Sequence, residues 1–181
     1  VGTSVEEMTS GRAILRGGAS TSHMGGETII EPGSGKLAGG TLHVSAGQGE
    51  HGGSATIKAG RSNGQGRGGS FTLEGGETGT DTEQGGFVLL QGGAAQELGG
   101  SVELRGGVAS VSGGNLLLKG GDGKSTSGEV AIASTDAASS SGHVSLRSGR
   151  TANIDKSKSG SVTIASGGSE ASSGNVIIEA G

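Results

Sequence analysis

The residues best placed to do chemistry are 121–125, Gly-Asp-Gly-Lys-Ser, which end as a phosphate-binding loop ends. Such a loop wraps backbone N–H groups around phosphate oxygens, and its first glycine falls five positions before the glycine that precedes lysine. Leu118 stands there, so the stretch reads as a polar turn. Calcium-binding glycine-rich repeats place an aspartate at a fixed point of each turn. Asp81, Asp122, Asp136 and Asp155 recur at no fixed offset, which argues against a calcium ladder. His23, His43, His51 and His143 are scattered, with no acidic or thiol partner recurring beside them, so they read as exposed polar residues rather than metal ligands. Glu74, Glu103 and Glu179 alternate with Lys58, Arg105, Lys119 and Arg147 along the repeats, a pattern of solvated charge rather than of an acid/base pair. No Ser/His/Asp arrangement stands out among so many serines. The expectation is a protein that is not an enzyme, with no catalytic residue, no metal and no cofactor.

The surrounding sequence is a repeat. Residues 99–107, Gly-Gly-Ser-Val-Glu-Leu-Arg-Gly-Gly, alternate apolar Val102 and Leu104 with polar Ser101, Glu103 and Arg105. That is the period of two of a half-buried β-strand. Glycine pairs flank it, and glycine's tolerance of positive φ predicts a sharp corner at each end. From Gly11 onward twelve units align on one glycine with apolar residues two and four positions later. The anchors are Gly11, Gly26, Gly40, Gly53, Gly69, Gly86, Gly100, Gly114, Gly128, Gly142, Gly160 and Gly174, lying 13 to 18 residues apart and most often 14. Residues 1–10 fit poorly and read as a lead-in, and 11–181 as a single repeat array. A chain that begins at Val1 without a signal segment and ends directly after a strand reads as a segment of a longer array.

This pattern predicts an all-β fold, a parallel β-solenoid (β-helix) of about twelve 14-residue strand-plus-loop units. Two aliphatic side chains per unit cannot order fourteen residues alone, so neighbouring units must share packing and backbone ladders. The expected core comprises Leu42, Val44, Phe71, Leu73, Val88, Leu90, Val102, Leu104 and Leu116. It continues through Leu118, Val130, Ile132, Val144, Leu146, Val162, Ile164, Val176 and Ile178. One unit per coil gives a long thin rod, whereas two units per coil give a shorter, better filled one. The outward position, three after the anchor, carries Ile29, Leu89, Leu117 and Ile177 in alternate units. That alternation favours two units per coil and marks a lateral interface on one sheet. An antiparallel meander with one strand per unit fits the same periodicity.

Composition narrows the function classes. The 181 residues include 43 glycines, one proline, two phenylalanines and no cysteine, tryptophan or tyrosine. Disorder is the competing reading of such a composition, and the regular placing of Val, Leu and Ile opposes it. A net charge of −4 and the lack of aromatic stacking platforms argue against a nucleic-acid partner. Apolar runs of three or four residues, as at 87–90, span no membrane. Thr56, Thr72 and Thr163 form no continuous threonine row of the kind an ice-binding face presents.

The unit Gly-x-Val-x-Leu-x-Ser/Ala-Gly with a Ser/Gly loop is clearest at 142–149 and 160–167. It resembles the Gly/Ser-rich tandem repeats of large secreted and cell-surface proteins, including those of stramenopile algae and oomycetes. The resemblance covers about residues 11–181 and brings no functional residues with it. It implies an extracellular structural β-solenoid, part of a filamentous appendage such as a mastigoneme or of a wall layer. The expected function is therefore a rigid rod or filament component at the cell surface that self-associates by stacking and lateral packing. The alternative is an extracellular module binding glycans or another surface, as an adhesin or an ice-binding protein does.

Overall fold

The computed structural model describes residues 11–79, 83–151 and 158–180. Among these residues there is no helix and no β-strand. The expected all-β solenoid is overturned, and with it the meander, since neither a parallel nor an antiparallel ladder joins the repeats. The chain divides into two units, residues 1–89 and 90–181, with the division falling inside the apolar stretch 87–90.

The absence of a core explains the absence of sheets. The chain exposes 18904 Å². A folded monomer of its mass, 17.2 kDa, exposes roughly 7,800 Å², and the fully extended chain roughly 25,000 Å². Most of the surface that folding normally removes from water is therefore still wet. No side chain is buried among the described residues, and the eighteen positions expected to form the core run from 46% exposed at Val162 to 88% at Ile178. Ile29, Leu89, Leu117 and Ile177, expected on an outer stripe, lie in the same range, so the structure draws no inward and outward face. Apolar residues between the repeats are barer still: Leu37 and Val108 are fully exposed.

Order comes instead from one backbone hydrogen bond in each of eight repeats. The anchor glycine N–H donates to the carbonyl of a glycine at the end of the preceding apolar segment, at 2.7–2.9 Å. The bonds are Gly26 to Gly18, Gly40 to Gly33, Gly53 to Gly47, Gly69 to Gly60, Gly86 to Gly76, Gly100 to Gly93, Gly114 to Gly107 and Gly128 to Gly121. Each closes the neck of a loop. The distance along the chain from donor to acceptor varies from 6 residues (Gly47 to Gly53) to 10 (Gly76 to Gly86). The stretch from one anchor to the next acceptor does not vary: Gly26 to Gly33, Gly69 to Gly76 and Gly114 to Gly121 are each 7 residues. From Gly11 to Gly128 the variation in repeat length is thus taken up inside closed loops, and the apolar segments between them are of one size.

A single neck bond contributes only about 0.5–1.5 kcal/mol net. It fixes a loop without recruiting the neighbouring segment, which is why regular sequence spacing here does not become a sheet.

Candidate functional site

The loop necks are the tightest places in the molecule. Only eight described residues are half-buried, and six of them, Ala46, Ala59, Gly75, Gly92, Gly106 and Gly120, occupy the same position, six after an anchor. The reason for glycine there is space. A Cβ on Gly92 or Gly106 would overlap the carbonyl oxygen of the next anchor, Gly100 or Gly114. The anchors are confined too: a Cβ on Gly100 or Gly114 would stand 2.9 Å from the backbone nitrogen of Gly93 or Gly107. Among the described residues no glycine has positive φ, so the corner conformation expected of the paired glycines is not what they supply. They supply close approach of backbone to backbone, closer than a Cβ at Gly92 or Gly106 would allow without a shift.

The last three repeats differ. A Cβ on Gly142 or Gly160 would meet only the Cβ of Ser134 or Ser148 at 3.6 Å, and one on Gly174 the Cβ of Ser166 at 4.0 Å. These are ordinary contacts, and among the described residues no neck bond forms at those three anchors. Each has serine at the sixth position where the closed necks have glycine, alanine or proline. In the loop before Gly174 the Ser169 hydroxyl oxygen instead accepts the N–H groups of Ala171 and Ser172, both at 3.2 Å. Serine side chains commonly compete in this way for turn N–H groups.

The residues singled out for chemistry are not brought together. The stretch 121–125 lies in the loop closed by Gly128 on Gly121, and no helix follows it to complete a phosphate site. Asp81 and Asp155 lie outside the described residues, and among those described no three His, Asp or Glu side chains gather as metal ligands. His23 Nδ1 lies 2.8 Å from the Ser22 hydroxyl, and its N–H donates to the Ser20 hydroxyl oxygen at 2.9 Å. Both contacts are local to one exposed loop. His43, His51 and His143 are exposed. Of the charges expected to alternate along the repeats, Glu103 and Arg105 pair with each other within one segment, Arg105 Nε donating to Glu103 Oε1 at 2.6 Å. That pair is well exposed, where such contacts contribute little. No pocket is present among the described residues, and no helix is long and apolar enough to cross a membrane.

What the geometry does present is a series of equal apolar segments, each bared to solvent and each set between loops. The acceptor glycines escape a reading centred on the anchors, although the constant step of 7 residues from anchor to acceptor was a signal able to find them. Comparison with family models, with curated proteins and with solved structures returned no match for this chain.

Proposed function

We propose that this chain is a structural component outside the cell whose copies associate through their exposed apolar segments into a filament or surface layer. One observation carries the reading: an aliphatic side chain recurs four after the anchor in every repeat and remains more than half exposed, from Leu104 at 53% to Ile178 at 88%. Exposed apolar area on this scale is a driving force for association, because each Å² removed from water contributes about 25 cal/mol. The Gly/Ser-rich repeats of secreted and cell-surface proteins, which 142–149 and 160–167 resemble, support the same reading. So does the scatter of the His, Asp and Glu side chains, no three of which gather among the described residues.

Sedimentation velocity of the full chain over a hundredfold range of concentration tests the proposal. Growth of the sedimentation coefficient with concentration is expected. Leu104→Asp combined with Leu118→Asp should shift the midpoint of that growth at least tenfold upward. Val108→Asp, in a loop, should leave it in place. A chain that stays monomeric throughout, or one equally affected by the loop substitution, overturns the reading. The location outside the cell is tested by antibody labelling of intact cells, and labelling only after permeabilisation refutes it.

A further inference from the structure

Self-association through near-identical segments leaves a question of register. An aliphatic residue stands four after the anchor in every repeat, so this position favours no displacement of one copy against another. The charges are not the same, and they discriminate. Successive repeats from Gly11 to Gly86 are equivalent in build, each an equal segment followed by a neck closed at 2.7–2.9 Å. A second copy slid by whole repeats therefore lays segment against segment and loop against loop, whatever the loop lengths.

With no displacement every charge meets its own copy, which is repulsive throughout. With a displacement of one repeat, Arg12 meets Glu27 and Arg16 meets Glu31, each pair holding the same offset from its anchor. Lys58 meets Glu74 in the same way. The loops follow: Lys36 in 34–39 meets Glu50 in 48–52, and Arg61 and Arg67 in 61–68 meet Glu77 and Glu83 in 77–85. Among these positions no like charges meet. At a displacement of two repeats the loop holding Lys36 meets the loop holding Arg61 and Arg67, and Glu50 meets Glu77 and Glu83, so repulsion returns. Within the single chain none of the favourable pairs is made among the described residues, where the ion pair present is Arg105 with Glu103.

We infer that residues 11–68 pair with residues 26–85 of a second copy of this chain, parallel and displaced by one repeat, with charge selecting the register and apolar segments supplying the attraction. The inference rests on the self-association proposed above. Such a contact is head-to-tail in kind. It leaves the first repeat of one copy and the last of the other uncovered, so further copies add without closure.

A charge-reversal pair tests it. Variant one carries Arg16→Glu and Lys58→Glu, and variant two carries Glu31→Lys and Glu74→Lys. Each alone places like charges opposite each other at one-repeat displacement, whereas an alternating mixture restores opposite signs everywhere. At low salt, sedimentation velocity should show each variant associating about tenfold more weakly than the parent, and an equimolar mixture recovering to within about twofold. Variants that associate as the parent does, or a mixture no better than its components, overturn the register while leaving self-association standing. A mixture that fails to recover is also the result expected if the charges pair between neighbouring repeats of one chain. A parent chain that stays monomeric overturns both.

Discussion

The loops ending at Gly100 and Gly114 and those ending at Gly142 and Gly174 come from the same repeat, yet the first two are closed at the neck and the last two are open. The difference common to both open loops is serine six after the anchor. Where glycine stands six after the anchor, as at Gly92 and Gly106, the backbone of the next anchor comes within hydrogen-bond reach of the acceptor. Where serine stands there, as at Ser134 and Ser166, the anchor has room for a side chain and makes no neck bond. A glycine at the acceptor position is not sufficient: Gly167 has one place in the repeat with Gly93 and Gly107, and its loop is open. Alanine is compatible with closure, as Ala46 and Ala59 show, so the serine hydroxyl rather than the Cβ separates the two classes.

The sharpest way to break this comparison is to fill a closed neck. Gly106→Val should abolish the bond from Gly114 to Gly107, costing about 1 kcal/mol and lowering protection of the Gly114 amide roughly fivefold in hydrogen exchange. Ser148→Ala, which leaves an open neck with the alanine that the closed necks at Ala46 and Ala59 carry, should raise protection of the Gly160 amide by a similar factor. The anchors should divide in the same way and by a somewhat smaller amount. Gly114→Ala places a Cβ 2.9 Å from a backbone nitrogen and should release its loop, whereas Gly142→Ala, whose Cβ makes an ordinary 3.6 Å contact, should be silent by chemical shift beyond its neighbours. Converting an open neck tests sufficiency. Ser134→Gly with Thr135→Gly should give the Gly142 amide the protection seen at Gly128, and no gain would show that the pair of glycines is not enough. The smallest effect belongs to loop length. Three residues inserted into 61–68 should leave the bond from Gly69 to Gly60 in place at a cost of a few tenths of a kcal/mol, because closure entropy grows only with the logarithm of length.

Sequence reading located the repeat better than it located the fold. All eight donors of the neck bonds, from Gly26 to Gly128, are anchors found by spacing alone. Spacing is legible because a fixed segment repeats it. The alternation of Val102 and Leu104 with Ser101 and Glu103 pointed to a strand, and there it misled. Alternation records a preference for one wet and one dry face, but two aliphatics per repeat supply no dry face within a single chain. The glycines misled in a second way. Gly92 and Gly106 looked like corners that need positive φ, whereas their role is to let two backbones touch, and composition does not distinguish the two uses. The stretch 121–125, expected as a polar turn, lies in the loop closed by Gly128 on Gly121.

The neck also determines what happens when the chain is pulled. Tension on the ends loads each Gly-to-Gly bond before the loop behind it, and a broken neck frees 6 to 10 residues of slack. At ~3.4 Å per residue that is roughly 20–34 Å per event. The eight necks thus form a series of sacrificial links, each giving up stored length while the covalent backbone is still unstrained, and each able to reform when the load is removed.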